Sequence, residues 1–196
     1  MPKGVFCLEG DWEGLKDHMT VEPMLELLHN MHNHQVKYIH RNIATLQQFD
    51  YYMAKWTQQG QKNYPILYLG FHGMPNTIFL GDQRKAEGKI TLEWIEERLK
   101  KKNLRRKIIF FGTCETLNIS NARLHKFVQK TGVAAICGYK SSVNWTYAAA
   151  FEIIVLDNLQ YFTTTQQGLK AVKKRIYEAA GGLAKKLKFS MVLRST

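Results

Sequence analysis

Cysteine is scarce in this sequence: Cys7, Cys114 and Cys137 are the only three in 196 residues. An odd number at scattered positions makes no disulfide framework and fits a reducing compartment, where a thiol is either packing or catalytic. Proline is nearly as rare, at four residues, and with 45% apolar residues this excludes a proline-rich disordered chain. No run approaches the roughly 20 consecutive apolar residues of a membrane span. Met1-Pro2-Lys3-Gly4 leads straight into a strand pattern with no signal-peptide arrangement. The expectation is a cytoplasmic protein with no membrane association, forming one domain over residues 1–196. Acid is also short, with 16 Asp and Glu against 28 Lys and Arg, a net charge of +12 that points towards acidic partners or nucleic acid. Phosphate-loop chemistry is excluded, because Gly70-Phe71-His72-Gly73 lacks the lysine and spacing of a nucleotide loop. A metal site is not expected either. His29, His32, His34 and His40 cluster, but without nearby cysteines or paired carboxylates they read as surface or turn histidines. No cofactor is implied.

What is present alternates between strand and helix periodicities. Short apolar runs occur at Val5–Leu8, Pro65–Phe71, Lys107–Phe111 and Val133–Cys137, with an extended Val36–Ile43 and a closing edge strand at Phe189–Leu193. Near-continuous apolar runs are the signature of strands buried on both faces. Helical spacing marks Met24–Met31, Leu46–Trp56, Thr91–Lys101 with Thr91 as N-cap, a stretch around Asn121–Gln129, about Asn144 to Leu159, and Leu169–Leu187, loosened at Gly181-Gly182. Thr77–Leu80 is a candidate short strand. This alternation predicts an α/β fold, a mostly parallel sheet with helices on both faces. Cys7 and Cys137 fall inside strand runs and read as inert core thiols. Tyr51, Tyr52 and Trp56 read as core by their helical spacing. The basic block Lys100–Lys107 and the basic helix after Gln166 read as solvated faces.

Sites in open α/β sheets form beyond the carboxyl ends of the strands. The run PILYLGF ends in His72-Gly73, and the run KIIFF ends in Gly112-Thr113-Cys114. If these strands are neighbours, an imidazole and a thiol meet at one sheet edge. The chain between them has room for the helical crossover that parallel neighbours require. Such a pair can serve as nucleophile and general acid/base. Gly73 and the backbone of Cys114 then supply N–H groups for an oxyanion, with a side chain at 73 crowding the approach.

These blocks resemble the paired signatures of caspase-like (clan CD) cysteine peptidases, and more closely those of the CHAT family. The likeness runs in order through His72-Gly73, Ile78-Phe79-Leu80-Gly81-Asp82, Ile90-Thr91-Leu92, Gly112-Thr113-Cys114-Glu115-Thr116, Val133-Ala134-Ala135-Ile136-Cys137-Gly138 and Ala148-Ala149-Ala150-Phe151. It covers roughly Tyr64 to Leu159. It implies a caspase-like three-layer sandwich and a cysteine endopeptidase (hydrolase) with His72 and Cys114 catalytic. Thr113 stands where Ala or Ser is common and is expected to narrow the site; Leu117 stands where Gly often follows. No long cleavable linker follows Cys114, so activation by cleavage into subunits is not expected.

The resemblance also implies where substrate binds, at the end of the first strand and the loop after the strand following the nucleophile. Here these are Glu9 and Asp11, and Tyr139 and Lys140. The two carboxylates favour a basic residue before the scissile bond, whereas Lys140 argues the other way if it faces the groove. The expected partners are a protein or peptide substrate and an acidic regulatory protein met by the basic C-terminal helix or the Lys100–Lys107 block. Two other readings stay open: a catalytically silent caspase-like scaffold, and a basic nucleic-acid binder. The second is weakened by position, since the Lys100–Lys107 block precedes a strand and lies opposite the catalytic edge.

Overall fold

A computed structural model describes residues 2–13, 16, 18–31, 35–81 and 88–195. His32, His34 and Asp82 lie outside the described residues.

Six strands form the main sheet: β1 (Val5–Glu9), β2 (Tyr38–Asn42), β3 (Ile66–Gly70), β7 (Ile108–Gly112), β8 (Ala135–Tyr139) and β9 (Phe189–Leu193). Their order is β2-β1-β3-β7-β8-β9, all parallel except β9, which pairs antiparallel with β8. The four central strands are buried at every residue, and only β2 and β9 at the edges reach solvent. That is why the central strands read as unbroken apolar runs.

Side chains alternate between the two faces of a strand, and this alternation divides the core. Val5, Cys7, Tyr68, Phe110 and Tyr139 face α1 (Glu22–Asn30), α5 (Trp145–Asn158) and α6 (Gln166–Lys186). Phe6, Leu8, Leu69, Phe111 and Ile136 face α2 (Leu46–Trp56), α3 (Leu92–Leu99) and α4 (Asn121–Thr131). The result is a three-layer sandwich with helices on both faces of a mostly parallel sheet. Helices α2 to α6 each open on a side-chain oxygen that accepts a backbone N–H: Thr45 from Gln48, Thr91 from Trp94, Ser120 from Arg123, Asn144 from Tyr147 and Thr165 from Gly168. Helix α6 kinks at Ala180, one residue before the glycine pair.

A small antiparallel sheet was only partly foreseen. Besides β5 (Thr77–Phe79), it contains β4 (His72–Met74) and β6 (Lys89–Thr91), too short for periodicity to mark. Two other expectations need correction. Lys107 is not a solvated end of the basic block: it is buried, and its ammonium donates to the carbonyls of Trp56 at 2.6 Å and Gln61 at 3.2 Å. Burial lowers its pKa to about 8. Of Tyr51, Tyr52 and Trp56 on α2, Trp56 is core, but Tyr51 is exposed, edge-on to Tyr52. Among the described residues no helix is long and apolar enough to cross a membrane.

Candidate active site

Four consecutive strands of the sheet, β1, β3, β7 and β8, send their carboxyl-end loops to one cavity of about 400 Å³. Trp12 comes from the first loop, His72 from the second, Cys114 from the third and Val143 from the fourth. The register makes the central pair equivalent. Gly70 lies opposite Gly112 in the β3–β7 ladder, and His72 and Cys114 each stand two residues beyond.

Cys114 is half-buried, whereas Cys7 and Cys137 are fully buried and burial pushes their thiols up. The Cys114 sulfur accepts the Val143 N–H at 3.4 Å and faces the Ser142 hydroxyl at 3.8 Å. Both donors precede the amino end of α5, whose dipole favours negative charge nearby. His72 is hydrogen-bonded through Nε2 to the carbonyl oxygen of Trp12. A carbonyl only accepts, so Nε2 carries the proton and a neutral ring keeps its lone pair on Nδ1. The indole of Trp12 meets His72 edge-on at 5.4 Å and Trp145 at 4.8 Å, which fixes the imidazole plane. Imidazole and thiol share the cavity wall without bonding to one another.

The nucleophile loop is held from behind. Thr113 is buried and its hydroxyl donates to that of Thr116 at 2.7 Å, which in turn donates to the Thr77 carbonyl at 3.1 Å. Thr113 therefore does not narrow the site; it ties the loop to β5. Leu117 is buried in the α2/α3/α4 core. Glu115 adopts a left-handed conformation (φ 55°), at a cost of roughly 1 kcal/mol, and so turns the chain sharply after Cys114. Gly73 is needed for a reason the sequence did not suggest. A Cβ there would run into the Cys114 carbonyl and the Thr116 hydroxyl, so the glycine lets β4 lie directly against the nucleophile loop.

The four residues expected at the substrate pocket are placed differently. Glu9 is 1% exposed and fully engaged: Oε1 accepts the Trp12 indole N–H at 2.6 Å and the Val21 N–H at 2.8 Å, and Oε2 the Thr20 hydroxyl at 2.7 Å and His40 Nε2 at 2.6 Å. It braces the Trp12 loop and is not part of the cavity wall. Asp11 is exposed and lies outside the cavity wall. Tyr139 is buried beneath the site. Lys140 donates to Asn121 Oδ1 at 2.9 Å and lines a separate groove with Lys173 and Lys188. His40, hydrogen-bonded to Glu9 at 2.6 Å and 3.5 Å from Glu22, is held between two carboxyl groups and is not a loose turn histidine. Among the described residues no group of three or more His, Cys, Asp or Glu could hold a metal.

The residue that sequence reasoning missed is Glu152 on α5. It is 3% exposed, lines the cavity, and accepts hydrogen bonds from Tyr68 at 2.6 Å and Tyr139 at 3.0 Å. Desolvation pushes its carboxyl up to about 7, although both hydroxyls act to lower it. The Tyr68 hydroxyl reaches it by passing over Gly112, where a Cβ would collide with that oxygen. Burial pushes up the groups around it, Tyr68 on β3, Tyr139 and Cys137 on β8 and Cys7 on β1, and the Glu152 carboxylate adds to each rise.

Comparison with known proteins fits this architecture. The chain belongs to a family of unknown function, DUF6642, whose profile matches residues 2–193. No curated protein matches it in sequence. Among solved structures it is similar to the Drosophila initiator caspase Dronc, with 11% identity, a TM-score of 0.55, and coverage of 97% of this chain and 79% of that one. It is likewise similar to caspase-1 from Spodoptera frugiperda, with 12% identity, a TM-score of 0.55, and coverage of 98% and 86%. At such identities the likeness concerns the fold, and the fold is caspase-like.

Proposed function

We propose that this DUF6642 member, with its caspase-like scaffold, is a cysteine endopeptidase in which Cys114 is the nucleophile and His72 the acid/base. The observation that carries this reading is the placement of His72 and Cys114 in one cavity, in matching register at the carboxyl ends of adjacent parallel strands. His72 takes the Cys114 proton at Nδ1 while Nε2–H stays bound to the Trp12 carbonyl. The thiolate, supported by the Val143 N–H, attacks the peptide carbonyl carbon, and the oxyanion is received by the backbone N–H groups of Gly73 and Cys114. The C–N bond then breaks as His72 protonates the leaving amine. Water attacks the resulting thioester, giving one proton to His72, which returns it to the Cys114 sulfur as the acid departs.

The order of the residue motifs resembles the CHAT type, and this supports a reading of the enzyme as a partner-regulated peptidase of the cytoplasm. Regulation by an acidic protein fits the exposed Lys100, Lys101, Lys102, Arg105 and Arg106, all on the surface away from the cavity. Charge reversal of these five residues is expected to slow activation in cell extract without altering peptide cleavage by pure enzyme, and unchanged activation refutes the acidic partner. The central test is incubation of wild type and Cys114→Ala with a peptide library, read by mass spectrometry. Products from wild type alone support the reading; the same products from both proteins, or from neither, refute it.

A further inference from the structure

The cavity beside Cys114 has a composition that the hydrolytic chemistry alone does not require. Its walls are largely apolar and aromatic, with Trp12, Tyr68, Val143 and Trp145, and its polar groups include two carboxylates, the exposed Glu13 and the buried Glu152. Among the described residues no lysine or arginine lines it. Among the described residues no basic side chain lies within 4.0 Å of the Glu152 carboxylate, which is held by two tyrosine hydroxyls only.

A buried carboxylate without a cation is costly, and hydrophobic packing could replace it at a gain. Two tyrosines are nevertheless arranged to hold it, and Gly112 is kept free of a side chain so that one of them can pass. Each carboxylate oxygen has two lone-pair directions, so one hydroxyl per oxygen leaves acceptor capacity for a visiting donor. An apolar, aromatic shaft ending in an acid complements a side chain with an aliphatic stem and a cationic head.

We propose that this cavity receives the side chain preceding the scissile bond and that Glu152 selects lysine or arginine there. The proposal rests on the endopeptidase reading and deepens it, moving the source of basic preference from Glu9 and Asp11 to an acid on α5. Glu152 meets the substrate side chain and takes no part in bond cleavage.

Two measurements at pH 8 separate the outcomes. The first is the ratio of kcat/KM for matched peptides with lysine or norleucine before the scissile bond. Wild type prefers lysine, and Glu152→Gln lowers that ratio on the order of 100-fold, the scale for removing one partner of a buried charge pair. Wild-type preference for norleucine or aspartate, or an unchanged ratio in Glu152→Gln, overturns the proposal. The second uses Cys114→Ala, which cannot turn over, and follows indole fluorescence on addition of n-butylguanidine. Saturable binding that disappears in Cys114→Ala/Glu152→Gln supports the cation pocket, and absent or unaffected binding overturns it. Binding without any peptide cleavage by wild type would instead sink the endopeptidase reading and leave the pocket standing. Thermal unfolding of each variant establishes that it is folded.

Discussion

Replacing Glu152 with glutamine should stabilise the protein, and only above mildly acidic pH. The carboxyl is pushed from its ordinary 4.5 to about 7 by burial. Between those values the native state holds a proton that the unfolded chain has released. Stability therefore falls as pH rises across the window: the contribution is fully present below 4.5 and is lost on passing through about 7. At about 1.4 kcal/mol for each tenfold change in proton affinity, the loss amounts to roughly 3 kcal/mol. Glutamine keeps the size of the side chain and can still accept from Tyr68, but it does not titrate. Tyr68, Tyr139, Cys7 and Cys137 are all pushed upward, away from this window. Urea unfolding of both proteins at pH 4.5 and pH 8 gives the difference of differences, which cancels groups common to both. The expected result is a gain for Glu152→Gln that grows by about 3 kcal/mol between the two pH values. A gain independent of pH would refute the claim that an isolated buried carboxyl sits under the active site.

Further expectations concern the supports of the site. Gly73→Ala forces its methyl into the Cys114 carbonyl and should cut peptide cleavage by more than tenfold, measured as kcat/KM, with a lowered Tm. Cys7→Ala and Cys137→Ala should each cost about 1 kcal/mol or more in urea unfolding and leave the alkylation rate of Cys114 unchanged. For Lys107, whose pKa is lowered to about 8, the unfolded chain binds the extra proton between pH 8 and its ordinary 10.5. Wild type should therefore gain stability relative to Lys107→Met as pH rises through that interval, which unfolding at pH 7.5 and 10 will show.

The sheet was legible because its central strands are buried on both faces and so read as runs of apolar residues with nothing polar to confuse them. His72 and Cys114 were legible for the same reason: each follows directly on such a run. Of the small β4-β5-β6 sheet only β5 was legible, as Thr77–Leu80; β4 and β6 were not, since three-residue strands carry no period. Glu9 was misread because its position at a strand end suggests a groove, whereas the chain after it folds back and supplies donors from Trp12, Thr20 and Val21, and the neighbouring strand β2 adds His40. Trp12 holds His72 with its carbonyl oxygen as well as its indole, and because every residue has a carbonyl no side-chain pattern could mark that bond. Glu152 did leave a signal. It is the lone carboxylate within Ala148–Leu156, in a helix that is otherwise apolar nearly all round. A charge in such a setting is either paired or functional, and only the fold shows that it opens on the cavity of Cys114.

The account turns on Cys114 and His72 acting as one unit. The direct measurement is the reaction of the native protein with a peptidyl acyloxymethyl ketone bearing lysine next to the ketone, followed by mass mapping of the adduct. The adduct is expected on Cys114 alone, forming at least about tenfold more slowly in His72→Ala. An adduct on Cys7 or Cys137, or an unchanged rate in His72→Ala, would contradict it.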